Sequence, residues 1–416
     1  MTDLTKISPL SAENYPGLAG RYRAERRFQF LGRLAIALSL GFLAFLILSI
    51  TYLGSGAFFK TEIRFDLNPA LSNEVTDDSY SLLRKIVLSE PGISGRGARK
   101  AFFRLIGADA EDVVRRQIID RRLVDHRITS IWLPASDEVD MAVKAGLEEG
   151  GLSRLGPQQL DRVRMLAGDG RIQTRFNMGF LLNGDSRDAE RAGVGGALIG
   201  SLFTLVICFL LSFFVGVMAA IYLEEFAPKN RWTAFIEVNI NNLASVPSII
   251  FGLLGLALFL NIFGLPRSSS LVGGMVLALM TLPTIIIASR VSLQSVPPSV
   301  REAALGLGAT RIQMVFHHVV PLALPGMLTG AILGMARALG ETAPLMMIGM
   351  VAFIADPPGS FTDPATAMPV QVFLWSDSPE RAFAEKAAGA IIVLILFLIL
   401  MNLAAVLLRK KFEKKW

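Results

Sequence analysis

Cysteine and histidine are scarce in this sequence. It has a single cysteine, Cys208, and three histidines in 416 residues. One cysteine cannot form an intramolecular disulfide, and the Cys- and His-rich patterns of zinc sites are missing. No G-x-x-x-x-G-K-[ST] run occurs in the sequence, so the chain is not expected to bind ATP through a P-loop.

Charge is also sparse. Charged residues make up 18% of the chain and hydrophobic residues 52%, with a mean hydropathy of +0.50. A soluble domain of this length is less apolar. The net charge of +6 comes from basic residues beside apolar runs, and not from one basic face of the kind that binds nucleic acid. The composition therefore predicts an integral membrane protein.

Six apolar runs are long enough to cross a bilayer as helices. The first, Leu34–Leu53, is twenty residues without a charge, about 30 Å of helix, and it follows an arginine-rich segment. A secretory signal has the same order of charges but a shorter core and a small-residue cleavage site, so an uncleaved anchor is predicted. The six runs are 34–53, 192–223, 238–266, 268–289, about 322–352 and 387–408.

Residues 54–190 differ from the rest of the chain, because they are charged, balanced in sign and free of a spanning run. Ile63, Phe65 and Leu67 alternate with polar residues as in a half-buried strand, and residues 172–180 alternate in the same way. Helices are predicted in the stretches 78–90, 97–124 and 137–166, with a possible strand at 128–132. The sequence therefore predicts a small α+β domain, of about 130 residues, inserted after the first span.

The distribution of Lys and Arg over the short loops predicts the orientation. Basic residues occur in the N-terminal tail, in 224–237, in the 290–321 loop and in the C-terminal tail, whereas 263–269 has Arg267 alone and acidic residues outnumber basic ones in 353–386. We therefore expect both termini in the cytoplasm. The predicted organisation is a cytoplasmic N-terminal tail (1–29), a first transmembrane helix (30–53), a periplasmic α+β insertion (54–190), a core of five transmembrane helices (191–408) and a basic cytoplasmic tail (409–416).

The 290–321 loop contains a predicted helix-turn-helix. Ser299 and Glu302 form a capping-box pattern, which favours a helix start there. Gly306 and Gly308 are expected to end that helix, and Thr310 to cap a second short one. A loop of this shape could be bound by another protein. The alternative is a generic cytoplasmic loop, because capping boxes are common in such loops too. The apolar face of the second helix is expected to comprise Ile312, Val315, Phe316 and Val319.

The spacing of residues in this loop resembles the EAA loop of ABC-importer permeases. That pattern is Glu-Ala-Ala, three residues, Gly, nine residues and then Ile-x-Leu-Pro; a histidine and a valine stand here at its Ile and Leu positions. The resemblance implies a coupling helix that docks in a cleft of an ATPase subunit. The matching residues are Glu302, Ala303, Ala304, Gly308 and Pro321.

Arg337 lies sixteen residues after Pro321, about 24 Å along a helix, near the middle of the predicted fifth span. A central arginine costs about 2.5–3.5 kcal/mol on insertion scales, so it should have a partner and face the protein interior or a wet path. Glu341, at i+4, can be that partner. One interpretation is an internal ion pair that only orients the helix. The other is an anion path, in which Arg337 offers a charge-assisted fork and Glu341 accepts a hydrogen bond from a protonated anion.

The run Ala336–Pro344 is similar to the Arg-x-x-Gly-Glu-Thr-Ala-Pro signature of the PstA family of phosphate permeases. Segments 221–228 and 242–248 also resemble that family, so the resemblance covers about 190–416. The insertion departs from the short form of the family and resembles an extended form found in some Gram-negative bacteria. The resemblance implies transport-pathway roles for Arg337, Glu341 and Thr342, and ATPase-coupling roles for Glu302, Ala303, Ala304 and Gly308.

The same resemblance implies an all-α integral membrane protein with six transmembrane helices of the type I ABC-importer architecture, in the bacterial inner membrane. Such a subunit would import inorganic phosphate without covalent chemistry or a cofactor of its own. ATP and Mg are expected on an ATPase dimer (PstB), with a second permease subunit (PstC) and a periplasmic phosphate-binding protein (PstS) as further partners. The alternatives are a permease for sulfate or molybdate and a membrane sensor whose insertion binds a ligand.

Other polar residues and prolines in the spans receive structural interpretations. Arg290 ends the fourth span and is expected to snorkel to the inner interface. Pro247, Pro283 and Pro325 are expected to kink their helices. The acidic pair at 224–225, at an inner helix end, is given no functional role.

Overall fold

A computed structural model describes residues 18–67, 78–90, 95–119, 130–147 and 155–412. Its strands are β1 Phe59–Asp66, β2 Ser130–Pro134 and β3 Ile172–Phe176. Its helices are α1 Leu18–Gly54, α2 Ser79–Leu88, α3 Arg96–Phe103, α4 Ala110–Ile119, α5 Asp137–Lys144, α6 Pro157–Gly168, α7 Met178–Leu182, α8 Gly195–Ile221, α9 Arg231–Ala244, α10 Ser248–Gly255, α11 Ser270–Gln294, α12 Pro298–Gly306, α13 Arg311–Met314, α14 Val320–Gly340, α15 Ala343–Met347, α16 Met368–Ser376 and α17 Arg381–Phe412. A 3₁₀ turn covers Ser55–Phe58, and π-helical turns cover Tyr222–Phe226, Leu256–Ile262 and Val315–Val319.

The chain divides into two compact units, and the first ends at Tyr52. The described part of this first unit is helix α1, which is long and apolar enough to span a membrane. The helix begins at Leu18 rather than at residue 30, so the predicted boundary of the first transmembrane helix does not mark a helix end. The arginine-rich segment before the apolar run is itself helical, because Ala, Glu and Arg are good helix formers.

The second unit begins with the insertion, whose sheet has the order β2-β1-β3 with both pairings antiparallel. Ile63 pairs with Leu133 on one side and Ile172 on the other. The alternation predicted at Ile63 and Phe65 is confirmed, since both side chains are buried. They share a core with residues from the surrounding helices, among them Leu82, Val114, Val139 and Val163. The predicted α+β character of the insertion is confirmed.

The predicted strand over residues 172–180 is too long. Strand β3 ends at Phe176, and helix α7 follows. The side chain of Asn177 accepts a hydrogen bond from the Phe180 N–H at 3.1 Å, which caps the start of that helix. Phe180, expected on one face of a strand, is fully buried by packing against the last helices of the chain.

Two of the predicted helices in the insertion are each broken. The stretch 97–124 divides into α3 and α4, separated by the turn that contains Gly107, and residues 120–124 lie outside the described part of the chain. The stretch 137–166 divides into α5 and α6. Gly146 follows α5 with a φ of +80°, a conformation that glycine adopts without strain, so α5 ends there.

Five helices of the described chain are long and apolar enough to cross a membrane, and a bent helix pair makes a possible sixth crossing. The predicted third span, 238–266, is not one helix, since α9 and α10 meet at an angle of 101°. The break falls at Pro247, which lacks an N–H and disfavours helical geometry in the residue before it. Pro283 and Pro325, by contrast, lie inside helices α11 and α14, which continue through them.

The fifth predicted span, 322–352, also differs from the structure. Helix α14 ends at Gly340, and the chain is extended at Glu341, with a ψ of 122°, before the short helix α15. Pro344 stands in the first turn of α15, where its missing N–H is tolerated. The residues expected in mid-helix therefore lie at a helix break.

Close packing of α8, α11 and α14 forms the centre of the membrane core. A Cβ added at Gly274 of α11 would lie 2.5 Å from Cβ of Ile207, so the two helices touch at this point. Small residues allow helices to approach in this way within membranes. The buried residues around this contact include Cys208, Val276, Leu277, Ala338 and Leu345.

The insertion is fastened to the last helix of the core by Lys144. Its Nζ atom donates hydrogen bonds to Oε1 of Glu385, at 2.8 Å, and to the carbonyl oxygens of Gly56 and Phe59. Beside this contact a cavity of about 40 Å³ is lined by Asp109 and Glu190, among others. The carboxylate of Glu190 accepts a hydrogen bond from the Asp137 N–H at 3.0 Å.

Burial in this region raises the pKa of Glu190 to about 7, above its usual 4.5, because the charged form loses water. The protonated form is favoured by the folded protein, so its contribution to stability is complete below about pH 4.5 and is lost as the pH rises through about 7. We expect the melting temperature of wild-type protein to fall across this range relative to that of Glu190→Gln. The shift corresponds to at most about 3 kcal/mol.

Thermal unfolding of the detergent-solubilised protein from pH 4.5 to 8 measures this effect. Asp188→Asn is the matched control, since Asp188 is an exposed carboxylate two residues away. Equal pH profiles for wild type and Glu190→Gln would contradict the expectation.

Candidate functional site

The break after helix α14 brings the predicted pathway residues together. Arg337 stands in the last turn of the helix, where a cation interacts favourably with the helix dipole. Its Nε atom lies 3.6 Å from Oε1 of Glu341, and the two side chains are 55% and 20% exposed. Thr342 follows directly and precedes helix α15. The predicted pairing of Arg337 with Glu341 is present, but Glu341 lies outside the helix.

The geometry of this pair leaves hydrogen-bonding capacity unused. A separation of 3.6 Å is an ion pair and is longer than a hydrogen bond. Arg337 makes no side-chain hydrogen bond to any residue in the described part of the chain, and its guanidinium carries five N–H donors. An exposed guanidinium with free donors beside a carboxylate can receive a small oxyanion in a bidentate manner.

The second break of the core packs against the first. Gly252 of α10 lies against Pro344 of α15, and a Cβ added at Gly252 would be 2.7 Å from Cα of Pro344. The two short helices that follow the breaks are therefore in direct backbone contact. The segment that carries Glu341 and Thr342 is positioned by this contact with the broken third span.

Substitution of Gly252 by alanine should displace α15 and the adjoining pathway residues, because the backbone of Pro344 must move to make room. We expect the anion uptake that the resemblance implies to fall about tenfold while the protein still inserts and assembles, in line with the effects of small misplacements at active sites. Uptake by reconstituted protein measures this. Gly41→Ala is the control, since Gly41 lies in helix α1, far in sequence from both breaks, and a Cβ there meets nothing within 4 Å. Equal rates for the two variants would contradict the prediction.

The second predicted site, the segment Pro298–Val319, is called the docking loop below. Helix α12 begins at Pro298, so Ser299 lies inside its first turn and is not the N-cap, and the predicted capping box of Ser299 and Glu302 is wrong. Proline at the first helical position starts the helix instead. Its end at Gly306 is confirmed, and Gly308 has a φ of +87°, which favours glycine.

The start of the second helix in the docking loop follows the prediction at Thr310. Its side chain accepts from the Gln313 N–H at 3.3 Å, and the Gln313 side chain accepts from the Thr310 N–H at 2.9 Å. This capping box begins α13, which continues through the π-helical turn Val315–Val319 into α14. The second helix is therefore not a separate short element.

The predicted apolar face of that helix is only partly correct. Val315 and Val319 are fully buried, whereas Ile312 is 63% exposed and Phe316 is also exposed. The intervening π-helical turn changes the angular spacing of the side chains, which a regular helical pattern does not anticipate. The exposed surface of the docking loop consequently carries apolar side chains: Leu305, Leu307, Ile312 and Phe316.

The residues of the EAA pattern occupy different environments in the docking loop. Glu302 and Ala303 are exposed, whereas Ala304 is buried against the core. The exposed positions are available to a partner, and the buried one holds α12 in place. Among the described residues, no group of three His, Cys, Asp or Glu side chains is placed to hold a metal ion.

Sequence reasoning missed a group of charged residues behind the docking loop. Glu225, 7% exposed, accepts hydrogen bonds from Nε and Nη2 of Arg301 at 3.2 and 2.8 Å. Arg290 does not simply reach toward water as predicted, because its Nη2 lies 2.8 Å from Oε1 of Glu237 and 3.4 Å from Oε2 of Glu224. These partners are far apart in sequence, and the only local signal was the acidic pair at 224–225.

The family of the chain follows from comparison with known proteins. A family model described as the binding-protein-dependent transport system inner membrane component matches residues 212–416. A model described as a domain of unknown function (DUF3333) matches residues 16–150. The probable ABC transporter permease protein YqgI of Bacillus subtilis is 30% identical over 245 residues, 56% of this chain and 83% of YqgI.

Proteins with a more specific name are similarly close. The phosphate transport system permease protein PstA 1 of Mycobacterium tuberculosis is 32% identical over 218 residues, 52% of this chain and 70% of that protein. The chain belongs to the PstA-like family of ABC transporter permeases. The PstA protein of Haemophilus influenzae is 30% identical over 215 residues, 51% of this chain and 74% of that protein.

Membership of this family makes the chain a multi-pass inner-membrane protein with a helical permease core, as predicted. This chain is also similar to a chain in an inward-facing solved structure of the MetNI methionine ABC transporter. The match covers 52% of this chain and 95% of the transporter chain, with a TM-score of 0.43 and 18% identity. The alternative of a membrane sensor is not supported, because the matched region is a transport permease.

Proposed function

We propose that this chain is a transmembrane permease subunit of an ATP-driven importer of inorganic phosphate. The observation that carries the proposal is the exposed Arg337 guanidinium, with unused donors, beside Glu341 at a break between helices. Similarity to proteins named as phosphate transport permeases supports it.

The chemistry of the pair accounts for the choice of anion. Arg337 offers two parallel N–H donors to two oxygens of one anion. Glu341 is an acceptor, and hydrogen phosphate has a proton to donate to it, whereas fully ionised sulfate has none. A carboxylate at this point therefore favours phosphate over sulfate. Thr342 follows Glu341 directly and its hydroxyl makes no hydrogen bond among the described residues, so in this proposal it would add a further hydrogen bond to the anion.

The partners in this proposal are a second permease subunit (PstC), an ATPase dimer (PstB) and a periplasmic phosphate-binding protein (PstS). The docking loop, with Glu302, Ala303 and Gly308, would contact the ATPase in the cytoplasm, and residues 54–190 would lie in the periplasm. The distribution of basic residues supports a cytoplasmic position for both the N- and the C-terminus. ATP and Mg would bind to the ATPase, and this chain would perform no covalent chemistry.

The cycle follows from this arrangement. Binding of ATP would close the ATPase dimer and move the docking loop, which would turn the cavity between the permease subunits outward to receive phosphate from the binding protein. Hydrolysis of ATP would return the permease to its inward state. The broken helices at Pro247 and Gly340 are the elements that can change their angle with little loss of helical hydrogen bonding.

Cells provide the test of substrate class. A bacterial strain that lacks its own high-affinity phosphate uptake would express this chain with its partner permease, ATPase and binding protein. We expect growth at low phosphate and uptake of labelled phosphate that excess sulfate or molybdate does not suppress. Uptake of labelled sulfate in place of phosphate would overturn the substrate and favour the oxyanion alternative.

A further inference from the structure

A cluster of acidic and basic side chains, here called the charged clamp, lies where the docking loop meets the spans. It comprises Glu224, Glu225, Glu237, Arg290 and Arg301. Glu225 lies in the π-helical turn that follows α8, and Arg301 lies in helix α12 of the docking loop. Both side chains are largely buried, at 7% and 22% exposure. A buried carboxylate of this kind requires a close cationic partner.

Arg301 contacts the end of a third element. Its Nη1 atom donates to the Val296 carbonyl at 2.6 Å, and Nη2 donates to the Leu293 carbonyl at 2.8 Å. Leu293 lies in the last turn of α11 and Val296 two residues beyond its end, where C=O groups lack partners within the helix. One guanidinium therefore joins the docking loop, the end of α8 and the end of α11.

The second half of the charged clamp reaches the broken span. Arg290 of α11 bridges Glu224, beside α8, and Glu237 of α9. Helix α9 leads directly to the break at Pro247, beyond which Gly252 touches Pro344 near the pathway residues. The docking loop is thus connected through ion pairs to the element that adjoins the pathway.

Arg311 strengthens the same junction from the other helix of the docking loop. Its Nη2 donates to the carbonyl oxygen of Glu225, and its guanidinium lies over the Phe226 ring at 5.5 Å. Both helices of the docking loop are therefore held to the π-helical turn after α8. Turns of this type frequently occur at functional sites.

We propose that Glu225 and Arg301 are positioning residues that transmit movement of the docking loop to the second span and to the broken third span. The inference rests on the proposed function only in that an ATPase must move the docking loop. A loop attached by backbone alone would absorb such a movement. The charged clamp makes the loop and the ends of α8 and α11 one mechanical body.

The transport test uses the assembled complex in proteoliposomes with Glu225→Gln, Arg301→Gln and the double variant. We expect the ATPase to copurify as with wild type and to hydrolyse ATP, while phosphate transported per ATP falls about tenfold. The double variant should be no worse than Arg301→Gln alone, because Arg301→Gln already removes the link to Glu225. Arg231→Gln is the control, since Arg231 is exposed in the same region and its side chain forms no hydrogen bond or ion pair with the described residues.

A distance measurement tests the charged clamp without reference to substrate. Spin labels on Ser299→Cys and Trp232→Cys, both exposed, report the separation of α12 and α9, and the native Cys208 is buried. ATP should leave this distance unchanged in the clamp-intact protein and change or broaden it when Arg301→Gln is added. The same distance behaviour with and without Arg301→Gln would overturn the inference.

The two proposals fail in different ways. Phosphate uptake by wild type together with an unchanged transport-to-hydrolysis ratio in the clamp variants would overturn the clamp alone. A wild-type complex that hydrolyses ATP without moving phosphate would overturn the substrate proposal, and the distance measurement would still decide the clamp. Loss of ATPase copurification in every clamp variant would show that the charged clamp is needed for binding the ATPase. That result would overturn the proposal that it transmits movement of the docking loop.

Discussion

Replacing Arg337 by glutamine is expected to lower ATP-driven phosphate uptake about 10- to 100-fold. A charge-assisted hydrogen bond contributes about 1.5–3 kcal/mol, and tenfold corresponds to about 1.4 kcal/mol. Arg337→Lys should retain part of the activity, because an ammonium keeps the charge but loses the planar fork. Initial uptake rates in proteoliposomes measure the effect. If Arg337→Gln takes up phosphate at the wild-type rate, Arg337 does not bind the anion and only orients its helix.

The partner carboxylate provides the selectivity half of this prediction. Glu341→Gln adds an amide donor that can face sulfate, so we expect the preference for phosphate over sulfate to shrink. The measurement is inhibition of labelled phosphate uptake by increasing sulfate, for wild type and variant at equal protein amounts. An unchanged uptake and an unchanged selectivity would show that Glu341 only pairs with Arg337, as the structural interpretation of the pair requires.

Introducing a charge on the exposed apolar surface of the docking loop should separate the permease from its ATPase. Leu307 is 90% exposed, and Ile312 is exposed on the neighbouring helix. A buried aspartate at either position would have to lose its water without a partner, which is costly enough to prevent a stable complex. We expect Leu307→Asp and Ile312→Asp to abolish copurification of the ATPase.

The control for the docking loop lies in the insertion. Tyr80→Asp removes an exposed aromatic side chain from α2 and should leave ATPase binding unchanged. Membrane insertion of each variant is checked by its yield in the detergent-solubilised fraction. Normal copurification of the ATPase with both Leu307→Asp and Ile312→Asp would exclude this surface as the docking site.

Local patterns predicted the elements whose stability depends on the bilayer or on one buried face. The long charge-free runs match the thickness of the bilayer, and the alternation around Ile63 reflects a strand with one buried face. Neither pattern depends on distant residues. The cap at Thr310 is equally local, and the structure confirms it. The predicted capping box at Ser299 is wrong because the helix already starts at Pro298, one residue before Ser299, and proline is favoured at the first helical position.

Features that depend on contacts between distant segments were not predictable from these patterns. The break at Gly340 is held by packing of α15 on α10, where Gly252 meets Pro344, and these two residues are distant in sequence. The charged clamp joins residues between 224 and 301. The partners of each ion pair are far apart in sequence, so no local pattern predicts the pair. For the pathway, the sequence predicted the pair Arg337 and Glu341 but placed both within one helix, whereas the structure places them across its end.

The measurement that tests the central claim most directly is ATP-dependent uptake of labelled phosphate in proteoliposomes. The liposomes would contain this chain with its partner permease and ATPase, and the binding protein would be added outside. We expect uptake that requires ATP, that excess sulfate does not suppress, and that falls about 10- to 100-fold in Arg337→Gln. Hydrolysis of ATP by the assembled complex without any phosphate uptake would contradict it, and would leave a permease for another solute.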